Sequence, residues 1–337
     1  MAAGDLEERS LRDLTPAASL FQSPFWAYVK ARNGWTHRVY SLKGKDPFLV
    51  LIKRWGPFTL GYAPGIDESH IPHDGATFSD VADDISRFVR GMFCLRFDSE
   101  YHLDIKADRC EFSSQNTLIP GFDIQPVDTV IIHTASEHPR KEYRTRAVRQ
   151  IRKAERQGIT CGWEHDSTWF SHWYALYRET SRRCGFLPRS GEYLLHLLQY
   201  GGDQARPRLA LAWKDGIPAA GAMVMIKGGR AWYLYGATGA EGLSHGAMYC
   251  LQDWIIRDLH DRGIGTYNLY GTAPRDVADH HLGSLSLFKS AFGGTSIRML
   301  GLVDCPVMKG PYRLFRYVEN KRITRARGPF DPDFSRH

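Results

Sequence analysis

The stretch Phe58-Thr59-Leu60-Gly61-Tyr62-Ala63-Pro64-Gly65 is answered later in the chain by Trp232-Tyr233-Leu234-Tyr235-Gly236-Ala237-Thr238-Gly239. Each opens on an aromatic residue, runs as a strand and closes at a glycine. Working outward from the first, residues 36–42 and 48–54 read as two further strands, with Gly44 to Pro47 and Gly56-Pro57 as turns. Residues 79–91 then read as an amphipathic helix with Val81, Ile85, Phe88 and Val89 inward, followed by a strand over 93–97 that ends on Asp98. Around the second stretch the order recurs. Strands over 208–213 and 218–226 are joined by Asp215-Gly216, and Gly228-Gly229 makes the next turn. A helix over 247–260 is stopped by Gly263, and a strand covers 266–269. The chain is therefore a degenerate tandem repeat of a β-β-β-α-β unit, an α/β (α+β) protein of two similar domains. Domain one is expected at 1–147 and domain two at 148–308. A final basic helix from 309 would fold back to complete the first domain through 337. Tyr233 and Tyr235 alternate, so they are expected on one face of their strand.

Composition narrows the class. The 337 residues are 43% hydrophobic, enough for packed cores and against disorder. The net charge of +7 suits a polyanionic partner without specifying one. The six cysteines (Cys94, Cys110, Cys161, Cys184, Cys250 and Cys305) show no Cys-x-x-Cys spacing, which argues against a zinc or redox motif and for a reduced, cytoplasmic setting. Asp279-His280-His281 has no second ligand set at zinc spacing and reads as loop, so no metal is expected. No basic-then-apolar leader opens the chain, and no apolar run approaches the ~20 residues of a spanning helix.

Three further segments carry chemistry. Ser23-Pro24 caps a helix whose Lys30 lies four residues after Trp26. Residues 139–158 hold eight basic side chains against two acidic ones on a thin apolar stripe, Tyr143, Ala147, Ile151 and Ala154; this leaves a wide cationic face that includes Arg144, Arg149, Arg152, Lys153 and Arg156. Residues 285–294, Leu-Ser-Leu-Phe-Lys-Ser-Ala-Phe-Gly-Gly, form a short helix with Leu285, Phe288 and Phe292 on one face, a double-glycine stop, and Lys289 leaving that face at an angle. A lone lysine is ordinarily solvated surface.

The β-β-β-α-β order resembles the GNAT acyltransferase fold, which implies two tandem GNAT-like domains, each a mixed, mainly antiparallel sheet with flanking helices. In that superfamily a Gly-rich helix start cradles the coenzyme A pyrophosphate. Here the corresponding loop, Glu241-Gly242-Leu243-Ser244-His245-Gly246-Ala247, lacks the basic residue and the close-set glycines. Beyond the fold, the whole chain resembles the FemABX aminoacyltransferases of peptidoglycan bridge formation, in a compact form without a coiled-coil arm. The resemblance rests on Gln22-Ser23-Pro24-Phe25-Trp26 with Lys30, Leu95-Arg96-Phe97-Asp98, Ile151-Arg152-Lys153-Ala154-Glu155, the run Thr180, Arg183, Phe186, Arg189, Tyr193, the stretch Tyr233-Leu234-Tyr235-Gly236-Ala237, and Phe288-Lys289-x-x-Phe292-Gly293.

The resemblance implies transfer of an amino acid from aminoacyl-tRNA to the side-chain amine at position three of a muramyl-pentapeptide. The acceptor would be carried as UDP-MurNAc-pentapeptide or on the lipid-linked precursor. It implies no cofactor and a monomer in the cytoplasm, including the inner face of the membrane. By position, Lys30 and Arg189 match residues that hold the acceptor's diphosphate, and Tyr193, Tyr233 and Tyr235 match its lining. Asp98 matches an acidic residue of the acceptor cleft, and Phe288 and Lys289 match the pair at the reaction centre. At Asn268 the family commonly has an acid. An acyl-CoA donor, a different amine acceptor, or tRNA binding without catalysis are the rival readings.

Overall fold

A computed structural model describes residues 6–16, 18–72, 74–102, 118–164, 168–200, 205–274 and 283–327. In chain order its elements are β1 (Leu6–Arg9), α1 (Pro24–Ala31), β2 (Thr36–Leu42), β3 (Phe48–Trp55), β4 (Phe58–Ile66), α2 (Gly75–Phe88), β5 (Met92–His102), β6 (Ile119–Pro120) and β7 (Asp128–His133). There follow α3 (Thr145–Arg156), β8 (Thr160–Trp163), α4 (Phe170–Cys184), α5 (Gly191–Leu198), β9 (Arg206–Lys214), β10 (Ile217–Lys227) and β11 (Arg230–Thr238). The last are α6 (Ala240–His245), α7 (Ala247–Asp261), β12 (Thr266–Asn268), α8 (Gly283–Lys289), β13 (Thr295–Pro306) and α9 (Lys309–Arg327). The chain divides into two compact units, residues 1–127 with 298–337, and residues 128–297. These limits differ from 147 and 308 because strand pairing, not the basic segment, sets membership. Strand β7 pairs with β12 of the second unit, and β13 pairs with β5 of the first.

In the first unit the strand order is β1-β2-β3-β4-β5-β13, with β6 on β13. All pairs are antiparallel except β4 with β5, where the chain returns through α2. Helix α2 buries Phe78, Val81, Ala82 and Ile85 against Phe97 and Leu95 of the sheet. Ser23 caps α1, its hydroxyl accepting from Trp26 N–H at 3.2 Å. Helix α9 lies on this sheet, with Tyr312 and Phe315 packed on Phe93 and Trp55.

The second unit repeats the plan in the order β7-β12-β11-β10-β9-β8, with β11 and β12 as its parallel pair. Its core joins Ala220, Ala222 and Val224 of β10 and Ala231 and Tyr233 of β11 to Ala247, Leu251 and Ile255 of α7 and Ala147, Ile151 and Ala154 of α3. The two units differ at the parallel pair. In the first, β4 stays paired with β5 from Thr59 to Ile66. In the second, pairing of β11 with β12 covers only Arg230 to Trp232. Beyond that, β11 runs on to Thr238, while the other chain leaves with β7, where Leu269 N–H donates to Val130 O and Thr272 N–H to Asp128 O, each at 2.9 Å. A seam therefore opens between Tyr233 and the segment after Asn268.

Candidate active site

The seam is built by two departures from regular backbone. On β11, Tyr235 pairs with Met223 and Tyr233 with Val224, so Leu234 is the extra residue of a β-bulge. The bulge overturns the expectation that the two tyrosines share a face. Tyr233 turns to the α7 side, its hydroxyl on Met248 Sδ at 3.8 Å. Tyr235 turns to the α4 side, edge-on to Tyr177 at 6.0 Å. Gly236 lies on the Tyr233 side, and a Cβ there would stand 1.7 Å from the Tyr233 hydroxyl; the glycine lets the ring lie along the strand.

Across the seam, Tyr270 adopts a left-handed conformation at φ 51. A tyrosine there costs roughly 1–2 kcal/mol and needs support. Asn268 supplies it: its Oδ1 accepts the Tyr270 N–H at 2.8 Å and the Thr129 hydroxyl at 2.5 Å. Ser286 Oγ accepts Ala273 N–H at 2.6 Å. The turn aims two successive carbonyls, Tyr270 O and Gly271 O, at Lys289 Nζ, each at 2.6 Å.

Lys289, expected at a rim, is 5% exposed. The helix ends on it and passes into a single tighter turn, Ser290–Phe292, before the glycines. Side chains at Gly293 and Gly294 would strike Glu142 and the Ile131 carbonyl, so the double glycine serves close approach as well as the stop. The ammonium sits 5.9 Å from the Tyr233 ring centroid, at the outer limit of a cation–π contact. Among the described residues it has no carboxylate partner. Burial without a counter-charge lowers its pKa to about 7. Of its three donors, two hold carbonyls and one is left for a ligand among the described residues. Phe288 packs edge-on to Tyr249 at 4.9 Å and to Phe292 at 5.4 Å, so it anchors the helix to α7.

On the α4 side, Arg189 lies over Tyr193 at 5.9 Å, and the Tyr193 and Tyr235 hydroxyls are hydrogen-bond neighbours. Burial holds both phenols above their usual range, so they remain donors at neutral pH. The Arg189 backbone is pinned twice, its N–H on Tyr177 Oη at 3.4 Å and its carbonyl accepting from Tyr174 Oη at 3.2 Å.

The structure thus groups Lys289, Phe288 and Tyr233 on one side of β11, and Arg189, Tyr193 and Tyr235 on the other. Lys30 and Asp98 belong to the first unit. Lys30 Nζ lies over the Trp26 ring at 4.8 Å and Trp35 at 6.0 Å. Asp98 is not a strand end: β5 runs on to His102, and Asp98 is buried mid-strand, accepting the Tyr62 hydroxyl at 2.7 Å. Arg144, Arg149, Arg152, Lys153 and Arg156 are all exposed on or beside α3 and make no ion pair among the described residues. Arg144 N–H donates to Ala291 O at 2.9 Å, so this basic helix starts at the turn that carries Lys289.

Asn268, Tyr270 and Gly271 escaped the sequence reading as site residues; the Tyr-Gly pair after a strand was the available signal. Asn268→Ala strands two buried donors, and urea unfolding is expected to show about 1–3 kcal/mol of lost stability. Asn268→Asp keeps the acceptor and should lose less. The loop suggested for a pyrophosphate is otherwise engaged. Glu179 Oε1 accepts Ala240 N–H at 3.0 Å at the start of α6, placing a carboxylate where a phosphate would bind. Gly242 and Gly246 are small for packing, against Ala219 O and Gln150 O. Among the described residues no group of His, Cys, Asp and Glu could hold a metal; Asp279-His280-His281 and Cys110 lie outside them. No helix among them is long and apolar enough to cross a membrane.

Two sheets of GNAT-like plan, one with a splayed parallel pair, make up the fold. Residues 211–320 match the FemAB family model. Lipid II:glycine glycyltransferases of Staphylococcus aureus are 27% identical over 113 residues, which is 34% of this chain and 27% of theirs, so the match spans about a quarter of those relatives. The crystal structure of FemX superposes with a TM-score of 0.77 at 18% identity, over 92% of this chain and 99% of that one. The C-terminal domain of a putative lysylphosphatidylglycerol synthetase from Agrobacterium fabrum shares the fold at a TM-score of 0.55 and 14% identity, over 91% of this chain and 96% of that one. Over about a third of its length the chain is thus similar to the FemAB family, within a fold that it shares with FemX.

Proposed function

We propose that this protein is an aminoacyltransferase that moves an amino acid from aminoacyl-tRNA to the side-chain amine at position three of a muramyl-pentapeptide. The observation that carries the reading is the juxtaposition of a buried, carboxylate-free Lys289 with the start of an exposed basic helix. That arrangement suits a nucleic acid whose reactive end must enter a dry seam. The aminoacyl ester is already activated, so neither ATP nor metal is required. The amine attacks the ester carbonyl, and a C–N bond forms. The tetrahedral oxyanion develops beside Lys289 Nζ, whose remaining N–H stabilises it. The bond between the acyl carbon and the ribose oxygen then breaks, and the proton lost by the amine ends on that ribose oxygen. Arg189 is assigned the acceptor's diphosphate with Lys30, in keeping with the forked donor set that phosphate favours. Tyr193 and Tyr235 are assigned its lining, Tyr233 the Lys289 side of the same strand, and Asp98 the acceptor cleft, the amine's proton being taken by Asp98 or by the substrate itself. Arg144, Arg149, Arg152, Lys153 and Arg156 are assigned the tRNA backbone.

The test is incubation with a mixed aminoacyl-tRNA pool and muramyl-pentapeptide, as UDP-linked and lipid-linked forms, read by mass spectrometry. A mass increment of one or more amino-acid residues is expected. No increment with charged tRNA, together with acylation supported by acetyl-CoA, overturns the reading; the α4 residue Glu179, its carboxylate at the start of α6, argues against that outcome. Arg149→Glu with Arg152→Glu is expected to raise the KM for aminoacyl-tRNA at least ten-fold, leave kcat near its starting value, and reduce the salt dependence of binding.

A further inference from the structure

We infer that the loop between α4 and α5 is a membrane-docking tip, seated on an anionic lipid surface. This goes beyond the transfer reaction and does not depend on it. Helix α4 stops at Gly185 in a left-handed turn, and residues 182–190 are all exposed. At the crest stand two large apolar side chains, Phe186 at 40% and Leu187 at 85% exposure. Single exposed apolar residues are ordinary, but this pair is collared by cations. Arg182 and Arg183 close the last turn of α4, and Arg189 follows two residues after Leu187.

The tip is held rigid. Phe186 leans on Tyr177 at 5.7 Å, the Ser181 hydroxyl donates to Phe186 O at 2.5 Å, and two tyrosines pin Arg189. Arg183 pairs with Glu179 at 3.7 Å and Arg189 lies over Tyr193, which leaves Arg182 beside a stiff loop that presents leucine and phenylalanine, and this matches the layered chemistry of a bilayer surface. The apolar pair would enter the acyl boundary while the Arg182 guanidinium meets lipid phosphates. Helix-end arginines alone would be explained by the helix dipole, but the dipole gives no reason for an exposed leucine. RNA would satisfy the arginines but gain little from Leu187, since bases stack on aromatic rings.

The experiment is co-sedimentation of the full chain with vesicles of phosphatidylglycerol and phosphatidylcholine, and with pure phosphatidylcholine. Binding to the anionic vesicles and little to the neutral ones is expected. Leu187→Asp should cut that binding at least ten-fold, with unchanged thermal unfolding. Arg182→Gln should cut it about five-fold, the worth of one basic side chain near an anionic surface. Leu187→Trp should retain binding and shift its emission to the blue on adding vesicles. Equal binding by Leu187→Asp, no binding by the parent chain, or a change of oligomeric state in Leu187→Asp in place of a vesicle effect overturns the inference. Vesicle binding is read without any transfer assay, so failure of the transferase reading leaves it separately decidable.

Discussion

Lys289→Met is expected to lower amino-acid transfer by about 100- to 1000-fold, the scale seen when one donor to a developing oxyanion is removed. The affinity for aminoacyl-tRNA should hold, because the exposed cations of α3 are untouched. Met has nearly the same shape, so the seam stays filled, although the Tyr270 and Gly271 carbonyls lose their donor. The pH profile separates this role from a purely structural one. The attacking amine has an ordinary pKa of about 10.4, so its reactive fraction rises about ten-fold per pH unit below that value. Lys289, with a pKa of about 7, loses the stabilising ammonium as pH rises through neutrality. In the parent enzyme the two trends oppose above pH 7, and kcat/KM should climb and then level off. In Lys289→Met the low residual rate should keep climbing through pH 8. A profile that levels in both proteins would refute the assignment of the break to Lys289.

Stability should carry the same signature. The folded pKa lies below the unfolded one, so the unfolded chain binds more protons between about pH 7 and 10.5. The penalty for the buried ammonium is therefore full below pH 7 and is relieved as pH rises through that window. Lys289→Met should remove this slope, which urea unfolding at several pH values would show.

Arg96→Leu is expected to cost about 3–5 kcal/mol of stability in the first unit, because it leaves carboxylates buried without their partner. The Arg96 guanidinium bridges Asp304 at 2.8 and 3.2 Å and Glu319 at 2.6 and 2.7 Å, and stacks on Phe315 at 4.7 Å. Asp304 has no exposed side-chain surface, and its remaining neighbours are the Tyr312 hydroxyl at 2.9 Å and Arg316 at 3.7 Å. The pair ties β5 and β13 to α9. The double variant with Asp304→Leu should lose less than the single one, since no charge is then stranded. Additive losses in urea unfolding would show that the ion pair is incidental.

The repeat, the strand and helix order and the caps were legible because each depends on local period or on a single residue type. Ser23 before Pro24 and the double glycine after Phe292 are of that kind. What decides the site is not local. Leu234 differs in no visible way from a regular strand residue, yet it is the bulge that sends Tyr233 and Tyr235 to opposite faces. Lys289 carried the base rate of a surface lysine, because its burial depends on two carbonyls some eighteen residues away. Asp98 looked like a strand terminus because a polar residue follows an apolar run; the strand continues because β13 pairs beyond it. The cations of α3 were legible as a patch, but not their junction with the Lys289 turn, which is a backbone bond to Ala291.

The bulge at Leu234 makes β11 a strand read in two frames. Ahead of it, odd-numbered positions (Ala231, Tyr233) look toward α7; behind it, the even-numbered Gly236 shares the Tyr233 side. A single-codon insertion in an ancestral strand would accomplish that change and give one ribbon command of both surfaces of its sheet. The first half of the molecule keeps its two parallel strands fastened along their length. The second half is instead pried open by a one-residue misfit.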